Sequence, residues 1–204
     1  MSVQYTIPFT VQPDFSAQAL IPHAGVQAAQ AWLDGTMIWP TNTLVLSGPA
    51  ACGKSHLAAL TSLTIRVWDL VQRPLKTRDT ANALFHLINE CQAHQRPLLI
   101  LSRVHPNHIY PDLPDLDSRL RAASHVQIED PKEETIRHAI LFKMATDHQL
   151  RLDLDTAAYI STRLPQTLEA LWTFCARAAQ SNFKAELSKI AARPLIEQIE
   201  AELG

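Results

Sequence analysis

The segment that most constrains the fold is Gly-Pro-Ala-Ala-Cys-Gly-Lys-Ser at residues 48–55. It follows a short apolar run, Thr43 to Ser47, that is typical of a buried strand, and a helix is expected to begin near Gly53. Glycines at the first and sixth positions allow a tight turn whose backbone N–H groups can surround a phosphate. The chain has only five glycines, so two at the required positions argue against a chance match.

This motif predicts a nucleotide site with ADP or ATP and Mg²⁺ as cofactors. Lys54 is expected to reach the terminal phosphates, Ser55 to bind the metal ion, and the N-terminus of the following helix to add positive potential. The loop residues expected to contact the nucleotide are Gly48, Pro49, Ala50, Ala51, Cys52, Gly53, Lys54, Ser55 and His56.

Predicted strands and helices alternate up to residue 130, which indicates an α/β fold with a parallel sheet. Beyond the first strand, the expected elements are helices at 24–33 and 79–94 and strands at 63–70, 97–102 and 125–128. From residue 131 onward only helical patterns remain. Their apolar stripes are Ile136/Ile140/Met144, Ala157/Ile160/Leu164, Leu168/Leu171/Trp172/Cys175 and a last segment at 184–203 that is expected to break at Pro194. We therefore predict an extended arm at 1–22, a P-loop domain at 23–130 and a helical domain at 131–204.

Charge and composition exclude several functions. The net charge is −2 and no Lys/Arg-rich run occurs, so direct sequence-specific DNA binding is not expected. No apolar run approaches the roughly 20 residues that cross a bilayer, and the N-terminus lacks the basic start of a secretory signal. The three cysteines include no CxxC pair. We expect a cytoplasmic protein without membrane contact.

Nucleotide hydrolysis needs an acidic residue at the end of a neighbouring strand and usually an arginine for the developing charge. Asp69 is the acidic candidate, either as a Mg²⁺ ligand and catalytic residue or as an ordinary strand-end aspartate. Ser102 ends the third predicted strand, where it can sense a γ-phosphate or merely cap the strand. Arg119 and Arg121 can serve as an arginine finger or as solvated helix charges.

Several segments together resemble the small relatives of the bacterial replication initiator DnaA, the AAA+ proteins of the Hda type and most closely the HdaA-like form. The resemblance spans nearly the whole chain. It rests on Gln4-Tyr-Thr-Ile-Pro-Phe9, Asp14-Phe15, Trp39-Pro40, Gly48 to Leu57, Ala83 to Asn89 and Leu113 to Leu120.

The resemblance implies an AAA+ core followed by a small helical lid domain. In the family, the short N-terminal motif docks on the DNA polymerase sliding clamp, which assigns clamp binding to Gln4, Ile7, Pro8 and Phe9. The match to the family's box VII places Arg119 at the arginine-finger position. Through that residue the family promotes hydrolysis of ATP bound to DnaA. The implied partners are therefore DnaA and the clamp, with a homodimer left open.

Three departures from the family pattern are visible in the sequence. Asp69 lies only 14 residues after Ser55, which leaves no room for the strand and helix that relatives insert before the Walker B strand. That strand lies at a sheet edge, so we expect the core to survive its loss. The Walker B motif keeps one acid, and the sensor II arginine is replaced by Pro165-Gln166-Thr167, which makes Gln166 the candidate lid contact to the nucleotide.

Two functional alternatives stay open beside a regulator of DnaA that has weak or no hydrolysis of its own. One is a degenerate DnaA-related paralogue that has kept partner binding only. The other is a small-metabolite P-loop kinase, which also starts with this loop but needs an acidic base and a substrate-binding arginine soon after the P-loop helix. The sequence offers neither there.

Overall fold

The computed structural model describes residues 14–35, 37–61, 64–181 and 187–203. Gln4, Ile7, Pro8 and Phe9, which the sequence assigns to clamp binding, lie outside these ranges. In the described residues the α-helices are α1 (Ala24–Leu33), α2 (Lys54–Leu60), α3 (Arg78–Ala93), α4 (Pro114–Ala122), α5 (Glu134–Asp147), α6 (Leu154–Arg163), α7 (Leu168–Gln180) and α8 (Lys189–Leu203). The strands are β1 (Thr43–Ser47), β2 (Arg66–Asp69), β3 (Leu98–Ser102) and β4 (Ser124–Gln127).

The four strands form one parallel sheet in the order β2-β3-β1-β4. All residues of β1 and β3 are buried, as the continuous apolar runs predict for central strands. β2 lies at one edge and follows α2 directly, without the additional strand and helix expected of relatives. The shortened connection therefore leaves a complete central sheet, and the predicted α/β fold is confirmed.

One face of the sheet packs against α3 and α4. The core on this face consists of Val45, Ala81, Leu84, Ile88, Cys91, Leu98, Ile100, Leu113, Leu116 and Leu120. A capping box starts α3, because the Thr77 and Thr80 side chains each accept a hydrogen bond from the other residue's backbone N–H. α4 begins with Pro114 in its first turn, where a missing N–H costs nothing.

The described chain divides into two compact units. One takes in Phe15–Arg137 and Thr167–Glu169, and the other takes in His138–Gln166 and the described residues from Ala170 onward. The first unit contains the sheet and the P-loop, whereas the second is helical. The domain limits derived from the sequence stay a prediction.

The helical part corrects three expectations from the sequence. α8 continues through Pro194, because Leu195, Ile196 and Ile199 are buried and their packing outweighs one lost backbone hydrogen bond. In α7 Trp172 is 46% exposed, and Phe174 occupies the buried face that the sequence pattern gave to the tryptophan. In α5 Ile140 and Met144 of the predicted stripe are buried, but Ile136 is only partly buried. The buried face instead includes Arg137, Leu141 and Ala145.

No helix in the described residues is long and apolar enough to cross a membrane. The three cysteines, Cys52, Cys91 and Cys175, are free and buried.

Candidate nucleotide-binding site

The P-loop leaves β1 with a close backbone contact. Gly48 N–H donates to the Ser102 carbonyl at 3.2 Å. A Cβ placed on Gly48 would lie 2.5 Å from the Ile128 carbonyl oxygen and 2.7 Å from Cys52 Sγ. Since real Cβ atoms essentially never come so near a backbone oxygen, only glycine fits here. The first glycine of the motif is therefore required by the approach of the chain that follows β4.

The turn itself needs left-handed backbone at two further positions. Ala51 has φ +61° and Gly53 has φ +96°. Glycine takes such a conformation without penalty, whereas alanine pays for it. Strained backbone is concentrated at functional loops, which fits the phosphate-binding role that the motif predicts.

Lys54 is folded back onto this loop. Its ammonium group donates to the carbonyls of Gly48 at 2.8 Å and Pro49 at 2.6 Å, and it lies 3.3 Å from Cys52 Sγ. The side chain is buried, so a bound phosphate would have to replace these carbonyls as its partner. Ser55, the expected Mg²⁺ ligand, is exposed.

Two other loop side chains have partners of their own. Burial raises the pKa of the Cys52 thiol, and Lys54 only partly offsets this, so the thiol stays protonated at neutral pH. The His56 ring donates from Nε2 to the Ser16 carbonyl at 2.8 Å and packs edge-on against Phe15. His56 thus fixes the segment that leads into α1, and its predicted contact with the nucleotide stays a prediction.

Asp69 and Ser102 lie at the C-terminal ends of neighbouring strands, as the sequence predicted. Asp69 Oδ1 accepts a hydrogen bond from Val71 N–H at 2.8 Å. Ser102 is buried, and its hydroxyl donates to the Val104 carbonyl at 2.7 Å while accepting from Val104 N–H at 3.0 Å. The serine hydroxyl is therefore used within its own turn, and sensing a γ-phosphate would require that turn to open.

Solved structures of known proteins share this architecture. Domain III of the Thermotoga maritima replication initiation protein DnaA is similar with a TM-score of 0.67 and 17% identity, covering 93% of this chain and 98% of that one. The chain has a DnaA-like AAA+ fold. AMPPCP-bound DnaA from Aquifex aeolicus gives a TM-score of 0.59 at 14% identity, over 85% of this chain and 67% of that one.

The Thermotoga maritima RuvB Holliday junction branch migration motor is also similar, with a TM-score of 0.56 and 15% identity over 91% of this chain and 72% of that one. No protein-family model matches the chain, and no curated protein matches it. At these identities the similarity establishes the DnaA-like AAA+ fold alone.

Within the DnaA-like fold, Arg119 lies on the exposed side of α4. Its Nη1 donates to Gln92 Oε1 on α3 at 3.1 Å. Arg121, the other candidate finger, is paired with Asp117 at 2.7 Å. Arg119 is therefore free of an ion pair to a carboxylate in the described residues and can be released by breaking one exposed hydrogen bond.

Gln166 belongs to the helical unit. Its amide donates to the carbonyls of Ser161 at 3.1 Å and Leu164 at 3.4 Å. It therefore satisfies acceptors at the end of α6, and its role as the replacement for the sensor II arginine stays a prediction.

Sequence reasoning missed a group of titratable residues around the segment that follows β4. His23 is buried, and burial lowers its pKa while Glu133 and Asp130 oppose the shift. Asp130 Oδ1 accepts from Leu168 N–H at 3.1 Å. Arg137 is buried in the first turn of α5. The sequence did contain a signal for this burial. Arg137 precedes Ile140 and Leu141 by three and four residues, so the three side chains lie on the same face of the helix.

A histidine pair lies beside the base of the P-loop. Ser47 Oγ and His125 Nε2 are hydrogen-bonded at 2.7 Å, and the rings of His105 and His125 meet edge to face at 4.5 Å. Burial lowers the pKa of His125, and His105 lowers it further. In the described residues no group of three or more His, Cys, Asp or Glu side chains could hold a metal ion. The lowered pKa of His125 favours its neutral, hydrogen-bonded form at neutral pH.

Proposed function

We propose that this chain binds ADP or ATP with Mg²⁺ at residues 48–55 and promotes the hydrolysis of ATP held by DnaA. Docking on the polymerase sliding clamp through Gln4 to Phe9 would bring it to the replication machinery. The proposed role is a regulator of replication initiation. Arg119 supplies the positive charge to the partner's nucleotide, as an arginine finger does in trans.

The observation that carries this proposal is the contrast between Arg119 and the residues expected to support hydrolysis of the chain's own nucleotide, Asp69 and Ser102. Arg119 is exposed, and among the described residues its side chain donates one hydrogen bond, to Gln92, whereas the Ser102 hydroxyl is buried and bonded within its own turn. A single acid, Asp69, remains where two are common, and its Oδ1 already accepts from a backbone N–H. This arrangement supports action on a nucleotide held by another protein more than hydrolysis of the chain's own.

The test is single-turnover hydrolysis of ATP on DnaA in the presence of the DNA-loaded clamp. We expect the wild-type chain to accelerate hydrolysis and Arg119→Ala to lose the acceleration, because arginine fingers contribute about 10³-fold or more. Arg121→Ala is the matched control from the same helix, and it should retain the acceleration because its side chain is paired with Asp117. Acceleration that survives in Arg119→Ala would refute the finger role.

Clamp docking needs a separate experiment. Gln4→Ala combined with Phe9→Ala should abolish binding to purified clamp while leaving nucleotide affinity unchanged. Binding of the double variant at wild-type affinity would contradict the proposed motif.

The degenerate paralogue is the second candidate, and the hydrogen bonding of Gln166 favours it. The Gln166 amide already donates to backbone carbonyls at the end of α6, and it carries no charge. It therefore does not supply the positive charge with which a sensor II arginine would sense the nucleotide. This candidate predicts clamp or DnaA binding with no acceleration of hydrolysis by the wild-type chain. The single-turnover assay therefore separates the two functions.

A further inference from the structure

A cleft opens at one end of the sheet, beyond the carboxyl ends of β2 and β3. Its volume is about 360 Å³, which lies in the range of about 300–1,000 Å³ that is usual for ligand sites. The turn after β2 and the loop after β3 form its walls, and both belong to the first compact unit. Most of the lining residues are apolar: Leu70, Val71, Pro74, Leu75, Val104 and Ile109.

Two of these apolar side chains are exposed to solvent. Val71 is 54% exposed and Val104 is 46% exposed. A single exposed valine is ordinary on a protein surface, but these two line the same cleft from different loops. Contiguous apolar surface with polar residues around it marks a binding site. An apolar side chain of a ligand would remove both valines from water, and this burial would favour binding.

Positive charge surrounds the cleft. Arg103 lines it, and the segment from Leu70 to Arg78 carries Arg73, Lys76 and Arg78 without any acidic residue. All four basic residues are exposed. The charge of the cleft is therefore complementary to a ligand that carries carboxylates.

Two carboxylates near the cleft have only a limited effect on this charge. Glu169 lies 4.0 Å from Arg103, and both side chains are partly exposed. An ion pair of this kind contributes little to stability. Asp69 Oδ1 accepts a hydrogen bond from the Val71 N–H. Arg103 can therefore exchange Glu169 for a carboxylate of a ligand at small cost.

The lining favours a protein segment over a nucleic acid. Positive charge alone would attract either of them. Proteins that bind single-stranded nucleic acid supply aromatic rings on which the bases stack, and none of the described residues that line the cleft is aromatic. In a protein interface, an apolar anchor residue in a pocket supplies affinity, whereas charges at the rim supply specificity and speed of association. The cleft has both of these features.

We propose that this cleft binds a short acidic segment of a partner protein. An apolar side chain of that segment lies between Val71 and Val104, and a flanking Asp or Glu binds Arg103. The inference goes beyond the proposed function, since it depends on neither the P-loop nor Arg119. It adds an interaction surface at the end of the sheet.

The test begins with selection from a displayed library of random short peptides on the immobilised full chain. We expect the enriched sequences to combine a large apolar residue with flanking Asp or Glu residues. The most enriched sequence is then made as a fluorescein-labelled peptide and titrated with the chain by fluorescence anisotropy. Enrichment of basic sequences, or no enrichment, would overturn the proposal.

Two variants test the cleft with this labelled peptide. Val104→Glu places a charge in the apolar part, and Arg103→Glu reverses the charge at the rim. Each should weaken binding by about tenfold or more, which corresponds to about 1.4 kcal/mol. Arg103→Glu, on the exposed rim, tests the proposal independently of any effect of Val104→Glu on folding.

Matched controls come from β2. Val67→Glu changes a valine that is 40% exposed and lies outside the cleft. Arg66→Glu reverses a charge that is paired with Glu90 at 3.1 Å, also outside the cleft. Both controls should bind the peptide as the wild type does. Wild-type affinity in the two cleft variants, or equal losses in the controls, would contradict the proposed site.

Salt and two competing occupants complete the test. Raising NaCl from about 0.1 M to 1 M shortens the screening length from about 10 Å to 3 Å, so peptide binding should weaken; an affinity independent of salt would contradict the role of the charged rim. Single-stranded oligothymidylate should not displace the peptide, and displacement that requires Arg103 but not Val104 would assign the cleft to nucleic acid. Sedimentation velocity of the chain without peptide should show no self-association that Val104→Glu abolishes. Such self-association would assign the cleft to a second copy and overturn the proposal.

Discussion

Gly48→Ala should destabilise the fold far more than the same substitution at Gly35, a glycine of positive φ with open space around it. The added Cβ would lie 2.5 Å from the Ile128 carbonyl oxygen, whereas ordinary contacts begin near 3.4 Å. The carbonyl cannot move away easily, because the N–H of the same residue donates to the Ser47 carbonyl at 2.8 Å. Either the loop shifts or the end of β4 separates from β1.

The expected loss of unfolding free energy is the sum of two contributions, overpacking by the added methyl group and weakening of the Ile128–Ser47 backbone hydrogen bond. Overpacking by one methyl group in a close-packed region costs about 1–3 kcal/mol, and weakening the backbone hydrogen bond adds about 1 kcal/mol. We therefore expect Gly48→Ala to lower the free energy of unfolding by about 3 kcal/mol. Gly35→Ala is the matched control, because Gly35 has φ +87° but nothing within 4 Å of an added Cβ. It should cost about 1 kcal/mol for backbone conformation alone.

Urea unfolding followed by tryptophan fluorescence measures both variants under the same conditions. ADP titration of Gly48→Ala should show reduced affinity, since a displaced loop no longer directs its N–H groups at phosphate. If Gly48→Ala and Gly35→Ala lowered the free energy of unfolding equally, the close approach of residue 128 would not constrain the P-loop, and the reasoning would be refuted.

Two further predictions concern the sheet and its helices. Thr77→Ala removes the capping box of α3 and should lower the free energy of unfolding by about 1 kcal/mol, measured by the same urea titration; an unchanged midpoint would contradict the role of the cap. The lowered pKa of His125 means that the unfolded chain binds a proton more readily than the folded one. Stability should therefore fall as the pH decreases below 6.5, the ordinary value for histidine, and level off below the folded pKa. His125→Gln should show a smaller fall, and an identical pH profile would contradict the assignment.

The central part of the fold could be predicted from local sequence patterns. β1 and β3 are continuous apolar runs between turn residues, and α1 and α3 have clear boundaries, so the expected ranges agree with the structure within one residue. The edge position of β2 also agreed with the expectation that the missing strand is peripheral. The element boundaries depend on neighbours in sequence, which is why they could be found there, whereas the edge expectation came from the resemblance to the family.

The side-chain partners in the site could not be predicted in the same way. Ser102 turns onto Val104 because a hydroxyl at a strand end can bond its own turn, a choice that depends on the loop that follows. Arg137 is buried by the tertiary fold, although an arginine near the start of a helix usually reads as solvated. α8 passes through Pro194 because distant packing outweighs the local signal to stop. For Arg137 and Pro194 long-range packing decides the outcome, whereas for Ser102 the conformation of the loop directly after the strand does.

Calorimetric titration of ADP and ATP into the wild-type chain and Lys54→Ala tests the nucleotide site most directly. We predict a micromolar or tighter dissociation constant, about −8 kcal/mol or more favourable, for the wild type and no detectable binding for Lys54→Ala, with circular dichroism confirming that the variant is folded. Absence of binding to the wild type, or equal binding by a folded Lys54→Ala, would contradict a phosphate-binding P-loop at residues 48–55.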